Sequence, residues 1–110
     1  MKKKNGVVET YYDNGQLKSR STYKDGQLKS RANYEDDKLN GLWENWYENG
    51  QLLTRANYKD GKLDGLRETW YDNGQIRSRE TYKDGKLDGL CETWYSNGQP
   101  MGRVNYKGSN

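Results

Sequence analysis

Residues 41–64 read GLWENWYENGQLLTRANYKDGKLD, and residues 65–88 read GLRETWYDNGQIRSRETYKDGKLD. A shorter third copy begins at Gly89. From Tyr12 to Tyr106 a tyrosine recurs at intervals of 11 or 13 residues, so the usual unit is 24 residues. A period of this size is the signature of a repeat array, in which each unit packs on its neighbours. Because near-identical units do not build one asymmetric catalytic pocket, the period favours a binding scaffold over an enzyme.

Turn residues separate the copies into strands. Asn-Gly and Asp-Gly pairs lie between runs rich in Tyr, Trp, Thr and Leu, which predicts two-residue hairpins with type I′ turns. Asp36-Asp37 once replaces Asp-Gly, and we expect that turn to be looser or longer. The predicted fold is all-β: an elongated, single-layer antiparallel meander of about nine strands built from β-hairpin repeats. The predicted strands are 6–12, 16–23, 27–34, 38–47, 51–58, 62–71, 75–82, 86–95 and 99–106.

The spacing also predicts the organisation of the chain. Residues 1–5 form a flexible basic N-terminus, residues 6–106 form the array, and residues 107–110 form a C-terminal tail. The predicted strands 16–23 and 27–34 both begin with Gln-Leu. This succession places the later Asn-Gly turns on the opposite long edge from the first one. The first hairpin should therefore be inverted relative to the others, as in a capping unit. The expected hairpin units are 6–26, an irregular 27–40, 41–64, 65–88 and 89–106.

Strand alternation predicts two different faces. Two-residue loops would pair Tyr12 with Leu17, Tyr71 with Ile76 and Trp70 with Arg77. One face then carries tyrosines opposite aliphatic residues, with small residues between them. The other face carries Tyr11, Trp46, Trp70 and Trp94 beside a row of charges, in which Arg20 and Arg31 are neighbours. The predicted row reads Glu9, Arg20, Arg31, Glu44, Arg55, Glu68, Arg79, Glu92, Arg103.

Composition limits the function classes. The chain is 30% apolar and 32% charged, and its net charge of +3 is spread over interleaved acids and bases. So weak a charge argues against a nucleic-acid partner, and the lack of a basic or amphipathic patch argues against a membrane role. There is no histidine, so no histidine-based catalytic or zinc site exists, and we expect no catalytic residue, metal or cofactor. The single Cys91 cannot form an internal disulfide, which favours a cytoplasmic protein.

These residues resemble the MORN (membrane occupation and recognition nexus) repeat, a β-hairpin that stacks into an elongated curved sheet. Residues 58–65, YKDGKLDG, match the second half of its pattern, and residues 82–89 match it again. Asp64 and Asp88 stand where the usual repeat has histidine. The WYxNGQ block resembles the bacterial variant of the repeat, and the resemblance covers about residues 6–106. Members of that branch are often described as antitoxins of toxin–antitoxin pairs, so the resemblance implies an antitoxin-like role.

Differences between the repeats suggest where a partner could bind. Trp43 occupies a position that holds Arg67 and Cys91 in the sister repeats, and Leu42 and Leu53 flank Trp46. Buried tryptophan anchors dominate many interfaces; the alternative interpretation is extra core packing. The candidate interaction surface is Leu42, Trp43, Trp46, Leu53, Trp70 and Trp94.

The leading hypothesis is a non-catalytic scaffold for protein–protein interaction. The expected chain is a monomer, or associates weakly through its sheet edges, where strands have unpaired backbone groups. The competing hypothesis is a module that binds carbohydrate or cell wall, because short hairpins with Trp, Tyr and Asn-Gly turns also resemble choline-binding repeats. That family carries Gly-Trp at the strand start, whereas this chain has Gly-Leu.

Overall fold

A computed structural model describes residues 3–107, which form strands joined by turns and contain no helix. The predictions for residues 1–2 and 108–110 lie outside the described residues. The strands are β1 (Gly6–Tyr11), β2 (Leu17–Lys24), β3 (Gln27–Glu35), β4 (Lys38–Trp46), β5 (Leu52–Lys59), β6 (Lys62–Trp70), β7 (Ile76–Lys83), β8 (Lys86–Leu87), β9 (Gly89–Trp94) and β10 (Pro100–Tyr106).

All strands belong to one open antiparallel sheet in which sequential strands are neighbours. The molecule measures 45 × 37 × 11 Å, the thickness of a single layer. The predicted meander is therefore confirmed. The predicted strand 86–95 is divided into β8 and β9, which both pair with β7.

The four Asn-Gly turns differ from the type I′ turns that the sequence predicted. In the turn after β6, Gly74 N–H donates to the Tyr71 carbonyl and Tyr71 N–H to the Gln75 carbonyl. Only the glycine has positive φ, which is the geometry of a three-residue loop ending in a glycine bulge. Asn73 accepts a hydrogen bond of 2.9 Å from the Gln75 N–H. Asparagine is thus suited to this position by its side-chain oxygen, not by tolerance of positive φ.

The longer loops change the pairing beside each Asn-Gly turn. Leu17 lies opposite Tyr11 instead of Tyr12, and Ile76 lies opposite Trp70 instead of Tyr71. The predicted pair of Trp70 with Arg77 is wrong for the same reason, since Arg77 occupies a bulge.

The Asp-Gly turns are two-residue turns with positive φ at both positions, as predicted. Asp36 and Asp37 adopt the same conformation, with φ of 51° and 63°, and Glu35 pairs with Lys38 across them. The expectation of a looser turn is therefore wrong. Aspartate reaches the left-handed region more readily than most residues, so this turn keeps its geometry without a glycine.

The first hairpin is inverted, as its sequence predicted. Turns alternate between the two long edges of the sheet, so residues 13–15 share an edge with the turn at 36–37. Asp25-Gly26 lies on the opposite edge with the later Asn-Gly turns. β3 is the extra strand that causes this exchange.

One bulge corrects the predicted charge row. Near the 25–26 turn the pairing of β2 with β3 shifts by one residue, which places Arg20 opposite Ala32 and Arg31 opposite Ser21. Because a one-residue shift moves a side chain to the other face, Arg20 and Glu9 lie on the opposite face from Arg31. The predicted contact between two arginines is therefore absent, and Tyr11 lies with Glu9, to which it donates a hydrogen bond of 3.0 Å.

Little of this sheet is fully buried. The buried apolar residues among those described are Ala32 and Ala56, and the buried polar ones are Glu44 and Thr54. Trp43 lies directly between Ala32 and Ala56 on neighbouring strands. The most buried part of the sheet is therefore at β3–β5, under this indole ring.

Candidate functional site

We call the side of the sheet that carries Trp46, Trp70 and Trp94 the tryptophan face. The three residues end β4, β6 and β9, so one strand separates each from the next. The Tyr47 hydroxyl donates a hydrogen bond of 2.6 Å to the Trp70 carbonyl, and Tyr71 donates one of 2.7 Å to the Trp94 carbonyl. These bonds fix successive tryptophans in a regular row near one long edge of the sheet.

A row of alternating charges runs beside the tryptophans on the same face. Cross-strand pairing places seven of its predicted residues together. The guanidinium of Arg31 lies 5.7 Å from the Trp46 ring, a cation–π distance that links the two rows. The seven residues are Arg31, Glu44, Arg55, Glu68, Arg79, Glu92 and Arg103.

Glu44 is the most buried member of this row. Its carboxylate accepts hydrogen bonds from Arg31 at 2.7 Å and from Arg55 at 3.1 Å. Burial alone would raise the pKa of Glu44, but the two arginines outweigh burial and hold its pKa below the ordinary value. The Glu44 side chain is 4% exposed, whereas its arginine partners are 48% and 45% exposed. The row therefore presents guanidinium groups outward and hides its carboxylates beneath them.

Lysines extend the positive charge of the tryptophan face toward the other long edge. Lys59 lies opposite Lys62, and Lys83 lies opposite Lys86. Strand alternation from Arg55 and Arg79 places these lysines on the tryptophan face. These lysines add exposed positive charge to the tryptophan face at that edge.

The six predicted site residues do not form one patch. Trp46, Leu53, Trp70 and Trp94 lie in a row along one long edge of the tryptophan face. Leu42 lies on that face but four residues from Trp46, about 13 Å along the strand, with Glu44 between them. Its 40% exposure is matched by 41% for Leu66 and 38% for Leu90, so Leu42 is not a distinctive feature of its repeat.

Trp43 lies on the opposite side of the sheet, which we call the tyrosine face because it carries Tyr34, Tyr58 and Tyr82. Its contact with two buried alanines matches the core-packing interpretation. On the same face, Arg67 lies opposite Ala56, and Glu80 lies opposite Arg67 on the next strand. Arg67 and Glu80 form an ion pair of 2.8 Å. Burial raises the pKa of the neighbouring Tyr82, and the charge of Glu80 adds to the effect.

The sequence analysis did not select the outward arginines as site residues, because the regular alternation of Arg and Glu does not distinguish one charge from the other. The signal was present: arginine follows glutamate at a fixed distance in each repeat. What the sequence does not reveal is that the glutamates are covered and the arginines exposed.

The inverted hairpin creates a cleft of about 570 Å³ against the 36–37 turn. Tyr12 lies in it, held by a hydrogen bond of 2.8 Å from its hydroxyl to the Tyr34 carbonyl. The other residues around the cleft are acidic or amide side chains: Asp13, Asn14, Gln16, Glu35 and Asp36.

Within residues 3–107, no group of three or more His, Cys, Asp or Glu side chains is arranged to hold a metal ion. No helix that could span a membrane is present in this part of the chain.

The fold and the site define a repeat scaffold made of stacked β-hairpins. A family model described as MORN repeat variant matches residues 4–25, 39–60, 63–84 and 87–107. Since these matches cover most of the chain, the protein belongs to the MORN repeat variant family. Each match spans a hairpin around an Asn-Gly turn, and β3 lies outside all four. A search of curated proteins found no match.

Proposed function

We propose that this chain is a non-catalytic scaffold that binds a protein partner through its tryptophan face. The observation that carries the proposal is the combination of three regularly spaced tryptophans with a row of outward arginines. Tryptophan and arginine are the side chains most enriched among residues that dominate binding energy. The sheet measures 45 × 37 Å, which is large enough for the roughly 800 Å² per partner that a standard interface buries.

An antitoxin-like role, in which the chain neutralises its partner by covering it, is the specific form that the family resemblance suggests. Its support is the resemblance alone. A flat scaffold of this kind would act by occupying the partner's surface rather than by any reaction of its own.

The proposal is tested by capturing a partner from the source cells and measuring its binding to purified variants. Arg79→Gln changes the tryptophan face, and Arg67→Gln is the matched control on the tyrosine face, because both arginines are paired with a glutamate. We expect Arg79→Gln to weaken binding and Arg67→Gln to leave it unchanged. The reverse order of effects would contradict the proposal.

A carbohydrate-binding module is the second candidate, because the tryptophan row could also stack against sugar rings. That function predicts binding to insoluble glycans that depends on the tryptophans but is unchanged by Arg79→Gln. Co-sedimentation with cell-wall polysaccharide separates the two candidates.

A further inference from the structure

Building on the proposed function, we propose that the tryptophan face binds an acidic, proline-rich peptide segment in the polyproline II conformation. The peptide would cross the strands and follow the row Trp46, Trp70 and Trp94. This proposal specifies the chemistry of the partner, which the proposed function leaves open.

The spacing of the tryptophans is the first argument. Neighbouring strands are about 4.8 Å apart, so tryptophans on every second strand repeat at about 9.6 Å. A polyproline II helix has three residues per turn and rises about 3.1 Å per residue, so it presents the same side every ~9.3 Å. A peptide in β conformation repeats its side chains at about 6.8 Å and does not match the row.

The surface between the tryptophans is the second argument. Leu52 lies opposite Trp46 and Ile76 opposite Trp70, and Leu53 and Arg77 occupy the adjoining bulges. The gap between Trp46 and Trp70 is therefore apolar and suits a proline ring, whereas the next gap combines Ile76 with the Arg77 guanidinium, which lies 5.7 Å from the Tyr71 ring. Aromatic-lined grooves are a recurring means of binding polyproline II segments, which lose little conformational freedom on binding.

Charge complementarity is the third argument and determines the sign of the ligand. Arg55 and Arg79 lie two residues from the tryptophan row, about 7 Å along the strands. Their side chains are about half exposed, while the glutamates beside them are mostly covered. Carboxylates on the ligand could therefore bind these arginines while its proline rings contact the tryptophans.

The glutamates of the tryptophan face are paired with arginines and mostly covered. Aspartates occupy the turns at both long edges, including Asp25, Asp36, Asp60, Asp72 and Asp84. Strand residues on the tryptophan face instead include the two opposed lysine pairs. Arginines and lysines are therefore the more exposed charges on this face.

The test uses the whole chain and three synthetic peptides of equal length. The probe is (Pro-Pro-Glu)5, the control for flexibility is (Gly-Gly-Glu)5, and the control for charge is (Pro-Pro-Lys)5. Titration calorimetry should show (Pro-Pro-Glu)5 binding at least about tenfold more tightly than (Gly-Gly-Glu)5, with no binding of (Pro-Pro-Lys)5. Equal affinity for the first two would show that charge alone is recognised and would overturn the proposal.

Variants locate the site. Leu53→Glu introduces a negative charge into the apolar gap, and Arg79→Gln removes one outward cation; each should weaken (Pro-Pro-Glu)5 binding several-fold. Arg67→Gln, on the tyrosine face, should not. Circular dichroism establishes whether each variant is folded. If Leu53→Glu does not fold, Arg79→Gln alone tests the site. Unchanged binding by Arg79→Gln would overturn the proposal.

Two further outcomes separate this inference from the proposed function. Tighter binding of oligo(dT) than of (Pro-Pro-Glu)5 would overturn it in favour of single-stranded nucleic acid. If no peptide binds but a captured protein binds in a manner that Arg79→Gln abolishes, the tryptophan face remains the interface and only the peptide chemistry is wrong.

Discussion

The hydroxyl of Tyr71 donates a hydrogen bond of 2.7 Å to the backbone carbonyl of Trp94, one repeat further along the chain. Tyr47 makes the equivalent bond to Trp70. Each bond joins strands that are not direct neighbours in the sheet. The side chains at the turns therefore connect one repeat to the next, independently of the ladder of backbone hydrogen bonds.

The first prediction concerns this connection. Tyr71→Phe removes a hydrogen bond and leaves a carbonyl without its donor, so it should lower the free energy of unfolding by about 1 kcal/mol. Tyr95→Phe is the matched control, because Tyr95 is exposed and its hydroxyl has no partner within residues 3–107. Urea denaturation measures both variants, and equal losses would contradict a structural role for the Tyr71 hydroxyl.

A second prediction concerns pH. Because folding lowers the pKa of Glu44, its ionised carboxylate stabilises the folded protein. This contribution is complete above the unfolded pKa of about 4.3. It is lost as the pH falls through the lower pKa of the folded protein. Glu44→Gln should destabilise the protein by about 1–3 kcal/mol at pH 7, and this difference should shrink toward pH 2.

The control for that experiment is Glu92→Gln. The carboxylate of Glu92 lies 3.7 Å from an arginine, Arg103, that is 70% exposed. Such an ion pair contributes less than about 1 kcal/mol. A loss at Glu92 as large as that at Glu44 would show that burial of the carboxylate is not the cause.

A third prediction concerns the turn without glycine. Asp37 has a φ of 63°, where sister turns place Gly61 and Gly85. Asp37→Gly should raise the free energy of unfolding by about 0.5–1 kcal/mol. Glycine adopts positive φ without the steric cost that the aspartate Cβ incurs, and this gain exceeds the entropic cost of glycine. Gly61→Asp should have the opposite sign in the same thermal melts; stabilisation by both changes would be inconsistent with this account.

A fourth prediction concerns Asn45. Its side-chain oxygen is buried and has no hydrogen-bond partner among the described residues. The sister position holds Thr69, whose hydroxyl lies 2.5 Å from that of Ser78. Asn45→Thr should therefore stabilise the protein by about 1 kcal/mol, and Thr69→Asn should destabilise it. Calorimetric melting that shows no gain at position 45 would mean that the oxygen is satisfied in solution.

The period and the turn residues were sufficient to predict the all-β meander, its inverted first hairpin and the three tryptophans on one face. Turn chemistry was harder, because Asn-Gly is compatible both with two positive φ values and with an asparagine side chain that caps the next N–H. The hydrogen bond from Gln75 to Asn73 depends on which alternative forms, and local sequence does not decide it.

The bulge between β2 and β3 had a larger consequence. It moves Arg20 to the tyrosine face and separates it from Arg31. No residue in the 25–26 turn indicates that the pairing of β2 with β3 contains one additional residue. The exposure of the arginines was also beyond sequence reasoning, because a regular alternation of Arg and Glu does not show which of the two charges lies beneath the other.

The most direct test of the account is an NMR titration that follows the four tryptophan indole N–H signals. Trp46, Trp70 and Trp94 lie on the tryptophan face, whereas Trp43 lies on the tyrosine face and serves as an internal control. On addition of a captured partner, and separately of (Pro-Pro-Glu)5, we expect the first three signals to shift while that of Trp43 stays in place. A shift of the Trp43 signal alone would contradict the claim that the tryptophan face is the binding surface.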